Sequence, residues 1–234
     1  MKRLLTLALA ASAWTAHAAD FSAVGALSQD EFLRLSRDLG AAMSYKGVTP
    51  ATPLGALGFD VGVEVTDTKL ESSEAFARAG AGSRSHLVIP KLHVYKGLFG
   101  GLDVGAFIAG SPEVGATVFG ADLRYAILDD GLATPALGLR LSGTKASGLG
   151  DMSLATIALD VMASKKFTAL TPYVGAGSVR VLSSAGGTLL DEVRFNKGRV
   201  FGGVNVNLIG VNLALEAEKM GANTSLSAKV GLRF

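Results

Sequence analysis

The sequence predicts an all-β chain, a transmembrane antiparallel up-and-down β-barrel of about ten strands with a short N-terminal amphipathic helix. Three observations carry this. Apolar and polar residues alternate with period two through ten separate segments, the period of strand side chains. The mean hydropathy is +0.38, high for a soluble protein. Yet after residue 19 no run approaches the roughly eighteen consecutive apolar residues of a membrane helix. Finally, the connections sort by length, long at one end of the strand array and short at the other. A secreted soluble β-sandwich is the alternative reading of the alternation.

The chain starts on a basic Met1-Lys2-Arg3, followed by an apolar run from Leu4 to Trp14 and then Ala16-His17-Ala18-Ala19-Asp20. A charged start, a short apolar core and an A-x-A site make residues 1–19 a signal peptide, cleaved after Ala18 or Ala19. The whole chain has 22 basic and 20 acidic residues. Removing Lys2 and Arg3 leaves the mature chain with no net formal charge, which argues against nucleic acid as a partner. The chain has no cysteine, so disulfide and thiol chemistry are excluded.

Residues 20–56 read as an N-terminal helical segment, distinct from the barrel at 57–234. Ser28 and Glu31 have the spacing of a capping box, with Asp30 in the first turn. Phe32, Leu35, Leu39 and then Ala42 or Met43 recur at helical spacing, predicting a helix over about 28–43. Pro50 and Pro53 mark a turn before the first strand. An apolar stripe needs a partner but does not name one. The helix is therefore either a plug entering the barrel from the end where the array begins, or a helix resting beneath it.

Candidate strands follow at 57–67, 88–98, 102–109, 116–127, 135–144, 154–164, 171–182, 198–208, 211–219 and 224–234. Connections Thr68 to Leu87, Lys145 to Ser153 and Ser183 to Lys197 are long and fall at one end. Gly100-Gly101, Asp129-Asp130-Gly131 and Ile209-Gly210 are short and fall at the other, with Lys165 to Leu170 intermediate. Outward apolar series include Phe59, Val61, Val63 and Val65, then Leu137, Leu139 and Leu141, and Val211, Leu213 and Leu215. The opposite faces carry seven acids (Asp60, Glu64, Asp103, Asp122, Asp160, Glu216 and Glu218) and seven bases (Lys91, Arg124, Arg140, Arg180, Arg199, Lys229 and Arg233). Charges are costly against lipid but tolerable in a polar lumen, so these fourteen are expected to form a lumen charge network. Phe59, Tyr125 and Tyr173 are expected to point outward near the end where the array starts, as an aromatic belt.

The last strand alternates Leu226, Ala228, Val230, Leu232 and Phe234 against Ser225, Ser227, Lys229, Gly231 and Arg233, and its final residue is a bare aromatic. This resembles the terminal strand of Gram-negative outer-membrane β-barrels, in which a final Phe ends the strand that closes the barrel. The resemblance implies export to the outer membrane, with both ends of the array in the periplasm. It implies membrane lipid, lipopolysaccharide and, through Phe234 and its strand, the barrel-assembly machinery as partners.

Little in the mature chain points to catalysis. Its histidines are His86, in the first long connection beside Ser83 and Ser85, and His93 on an inward face. Known outer-membrane barrel enzymes that use a Ser–His or His–Asp arrangement need a histidine on or near the outer rim, held in geometry. The residues therefore predict no enzyme, no metal site and no cofactor. Eight strands are filled by their own side chains and open porins need sixteen or more. Ten strands predict a largely filled lumen and a structural or surface-interaction role. A narrow channel or transporter of a small solute or apolar ligand, gated by the N-terminal helix, is the alternative.

Overall fold

The computed structural model describes residues 21–111 and 113–234; the signal-peptide reading of residues 1–19 lies outside them. A short 3₁₀ turn at Val24–Ala26 leads into α1 (Gln29–Met43). Strand β1 (Phe59–Lys69) is followed by a short helix α2 (Ser73–Arg78), then β2 (His86–Gly97), β3 (Leu102–Ser111), β4 (Ala116–Leu128) and β5 (Ala136–Leu149). The second half holds β6 (Met152–Ser164), β7 (Leu170–Ala185), β8 (Val193–Leu208), β9 (Val211–Met220) and β10 (Asn223–Arg233). Each strand pairs antiparallel with its sequence neighbours, and β1 pairs with β10 from Asp60↔Arg233 to Lys69↔Thr224. The sheet therefore closes on itself and has no free edge. A two-sheet sandwich is ruled out.

Helix α1 forms where its capping signals stand. The Ser28 backbone N–H donates to Glu31 Oε2 at 2.9 Å, and the Glu31 N–H returns to Ser28 Oγ at 3.4 Å. Two of the orphan donors of the first turn are thereby satisfied. Between β8 and β9 the chain reverses in two residues, Ile209 and Gly210, both at positive φ. That backbone twist suits a tight hairpin.

Around the lower two-thirds of the barrel, the part nearer the start of β1, the outward positions are apolar. Val63, Leu92, Ile108, Leu123, Leu141, Leu159, Val174, Val200, Leu215 and Leu232 are all exposed there. Four or five outward positions per strand, tilted as barrel strands are, make a belt roughly 20 Å tall. This is the outer surface of a transmembrane barrel. Beyond the belt, toward the 70–85 connection, the outward positions turn polar: Lys69, Lys145, Ser147, Arg180, Arg194, Asn196, Lys219 and Thr224. The inward positions at that height turn apolar instead, including Leu87, Ile89, Val118, Leu154, Val179 and Val181. The barrel inverts its polarity along its own axis.

That inversion corrects two sequence expectations. Arg180 is exposed and faces outward, because Val179 and Val181 on either side of it point in against α1. Tyr173 faces inward and is 2% exposed, its hydroxyl donating to Glu216 Oε2 at 2.9 Å. Both errors come from reading β7 in the wrong phase. Phe59, Tyr125 and Phe234 do face outward near the start of the array.

The sorting of connections is also weaker than the sequence suggests. β5 continues to Leu149 and β6 starts at Met152, leaving only Gly150-Asp151 where a long loop is expected. β7 and β8 likewise run on to Ala185 and from Val193, while the connection 129–135 at the other end, read as short, spans seven residues. Strands extend past the apolar belt because α1 inside gives their inward faces something apolar to cover. What remains of the pattern is the connection 70–85, the longest and the one that carries a helix.

Candidate functional site

The lumen is the candidate site, and the chain's own N-terminal part occupies it from end to end. At the mouth, the end carrying the 70–85 connection, Phe32, Leu35 and Leu39 are fully buried in one core with the inward apolar residues of the surrounding strands. Gly40 lies so close to Val181 that a Cβ there would sit 2.8 Å from a Val181 methyl. Ser36 Oγ donates to Ser183 Oγ at 3.0 Å near the end of β7.

Asp38 fixes the height of the helix. Its carboxylate accepts the backbone N–H groups of Glu71 and Ser72, the latter at 2.8 Å, and Asn223 Nδ2 at 2.6 Å. Gln29 and Asp191 exchange two hydrogen bonds, tying the helix start to the 186–192 connection. Phe21 packs on Phe76 of α2 with ring centroids 6.0 Å apart. The mouth is closed by an apolar cap.

Below α1 the chain runs extended through the charged part of the barrel, and every residue from Asp38 to Ala51 is buried. The wall donates to this thread along its course. Arg199 Nη1 reaches the Tyr45 carbonyl at 2.7 Å, and the Tyr95 hydroxyl reaches the Gly47 carbonyl at 3.0 Å. Arg124 Nη1 donates to the Pro50 carbonyl at 3.1 Å, and Arg233 Nη2 to Thr49 Oγ1 at 2.8 Å. Lower still, the Thr52 N–H donates to Ser164 Oγ at 3.2 Å and the Leu54 N–H to Asp103 Oδ1 at 3.1 Å. An extended backbone inside a barrel needs such donors and acceptors, since no helix or ladder supplies them.

The wall charges also pair with one another. Asp160 accepts from Arg140 Nε at 2.9 Å and from Arg199 Nη2 at 2.5 Å. Glu64 holds Lys91 at 2.6 Å and lies 2.7 Å from His93 Nε2. Asp60 takes Lys229 at 3.1 Å and Arg233 at 2.5 Å, and Asp103 takes Arg124 at 3.0 Å. The Tyr45 hydroxyl donates to Asp122 Oδ1 at 2.8 Å. Of the fourteen expected network residues, thirteen face the lumen and Arg180 does not. Its place is taken by Lys46 from the thread, whose Nζ lies 3.4 Å from Glu218 Oε1 and donates to the Ala41 carbonyl at 2.6 Å. Ions taken out of water at such sites are held only by partners this close.

Lys46 is the residue that sequence reasoning missed, although a signal exists: it is the only charged residue between Met43 and Asp60. The inward aromatics were missed too. Tyr95 lies across its cross-strand neighbour Gly105, and Phe201 across Gly175; a Cβ at either glycine would overlap the ring. These glycines let rings lie flat on the wall and leave room for the thread. Arg124 stacks over Tyr95 at 4.7 Å and Arg140 over Phe201 at 4.8 Å, which gives the cations a further partner. Of the histidines, His86 sits at the start of β2 with Nδ1 3.0 Å from Asp67, and His93 is wholly buried between Glu64 and Tyr95.

No protein-family model and no curated protein sequence matches the chain. Among solved structures it is similar to neisserial surface protein A, with 14% identity and a TM-score of 0.34, covering 75% of this chain and 97% of that one. The outer membrane protease OmpT from Escherichia coli is 9% identical with a TM-score of 0.42, covering 76% and 95%. The outer membrane protein OprG from Pseudomonas aeruginosa is 11% identical with a TM-score of 0.36, covering 80% and 99%. The ten-stranded closure stands on this chain's own strand pairing.

Proposed function

We propose that this protein is an integral outer-membrane barrel kept closed by its own N-terminal segment, with a structural or surface-interaction role carried by its mouth. One observation carries the reading: residues from Asp38 to Ala51 are buried inside the closed sheet. A lumen holding a helix, an extended thread and paired charges has no room for a solute path of porin width. The apolar belt supports a lipid environment, with lipopolysaccharide meeting the polar rim above it. Phe234, exposed at the end of β10, is the expected contact for the barrel-assembly machinery. The chemistry we assign to the lumen is packing and charge pairing rather than catalysis.

A second reading, a channel gated by departure of the segment, is favoured by the wall itself. The Arg140–Asp160–Arg199 and Lys229–Asp60–Arg233 groups pair their charges within the wall, although Arg199 and Arg233 each also donate to the thread. Single-channel recording in a planar bilayer separates the readings. Residues 20–234 should insert without steady conductance, and residues 57–234 should conduct if the wall stands alone. Steady conductance by the longer chain would overturn the closed-barrel reading.

A further inference from the structure

Ser36 meets Ser183 near the mouth end of β7, the Tyr45 carbonyl meets Arg199 midway along β8, and Leu54 meets Asp103 at the opposite end, where β3 begins. Gly58 then accepts from the Gly97 N–H and the chain enters β1 at that same end. The backbone thus passes the full height of the barrel once before the first strand starts. Phe21 lies at the mouth, with the Ala23 N–H donating to the Ala79 carbonyl just after α2.

We propose that this segment crosses the membrane inside its own barrel, so that Phe21 lies at the outer mouth, across the membrane from both ends of the strand array. The proposal rests on the membrane-barrel reading above, with the end carrying the 70–85 connection outermost, as barrels place their longer loops. The outer surface is then a composite. The start of α1, α2 and the 186–192 connection form it together, held by the Gln29–Asp191 exchange and the Glu31–Arg78 ion pair. A ligand or antibody binding there would contact the N-terminal segment as well as the loops.

A chain without cysteine allows a clean test. Ala26→Cys, Leu189→Cys and Leu132→Cys each place one thiol at an exposed position: beside the N-terminal turn, in the 186–192 connection and in the 129–135 connection. Intact Gram-negative cells expressing each full-length variant are treated with a polymer-coupled maleimide too bulky for porins. Heat-modifiable migration on gels confirms that each variant is folded. Ala26→Cys should label to the same extent as Leu189→Cys, while Leu132→Cys should label only after the cells are permeabilised. Labelled Leu189→Cys beside a protected Ala26→Cys would overturn the proposal and leave the barrel reading intact. Labelled Leu132→Cys with the other two protected would reverse the orientation and put Phe21 on the periplasmic side.

Discussion

The two halves of this barrel solve opposite problems with one wall. In the half nearer the start of β1, apolar side chains face out and ionised ones face in, where Asp160, Arg140 and Arg199 are fully or almost fully buried. In the mouth half, Arg180 and Lys145 face out while Val179, Val181 and Leu154 face in against α1. The first arrangement belongs to a wall with lipid outside, the second to a wall with water outside. What lies inside follows suit. The charged half holds an extended thread gripped by hydrogen bonds, and the apolar half holds a helix gripped by packing. Outside solvent and inside occupant are matched at each height.

The comparison breaks first where charge is least compensated. Asp160→Ala leaves buried Arg140 without its paired carboxylate and Arg199 with only Glu218, 3.4 Å from its Nη1, which should cost about 3–5 kcal/mol. Urea unfolding of the refolded barrel in lipid vesicles measures it. An effect below about 1 kcal/mol would mean that water reaches the site. In the mouth half the matching change is Leu39→Ala, a cavity in the α1 core, with an expected cost of about 2–4 kcal/mol in the same assay. It should loosen the helix while leaving the lower ion pairs in place.

The strand on which sequence and structure disagree gives a sharper contrast. Arg180→Ala removes an exposed outward side chain and should change stability by no more than about 0.5 kcal/mol. Arg140→Ala, on the neighbouring wall, strips Asp160 of one partner and should rank with Asp160→Ala. Equal effects from the two arginines would restore the inward placement of Arg180. The smallest effect is electrostatic. The Ser28 N–H and hydroxyl and the charges of Arg78 and Arg34 hold the Glu31 carboxyl below its ordinary value. Its contribution to the helix start is therefore present above the unfolded value and is lost as pH falls through the folded one. Faster amide exchange across the first turn of α1 on acidification, absent in Glu31→Gln, would report it.

Much of this was legible in the amino-acid sequence, for a physical reason. Ten strands and the capped helix are written in local periodicity, and the Ser28–Glu31 box and the alternation of β1, β9 and β10 need no tertiary information. The unread parts depend on what stands behind each residue. Val179 and Val181 look like lipid-facing positions and are helix-facing ones, so the phase of β7 followed Arg180 and went wrong. Tyr173 looked like a belt ring until its hydroxyl found Glu216. The path of residues 44–58 left almost no periodic trace, because an extended thread held through its carbonyls selects few side chains. Pro50, Pro53 and the lone Lys46 are its only marks.

Helix α1 lies inside the mouth half rather than beneath the barrel. Paired cysteines test it most directly, since the chain has none of its own. Ser36 and Ser183 hold their hydroxyl oxygens 3.0 Å apart at the mouth, a spacing that sulfur atoms at both positions can bridge with modest adjustment. The folded Ser36→Cys/Ser183→Cys protein should form an intramolecular disulfide under mild oxidation, and the Ser36→Cys/Ser164→Cys control should not. A cross-link in the control without one in the mouth pair would put the helix at the wrong end and contradict the account.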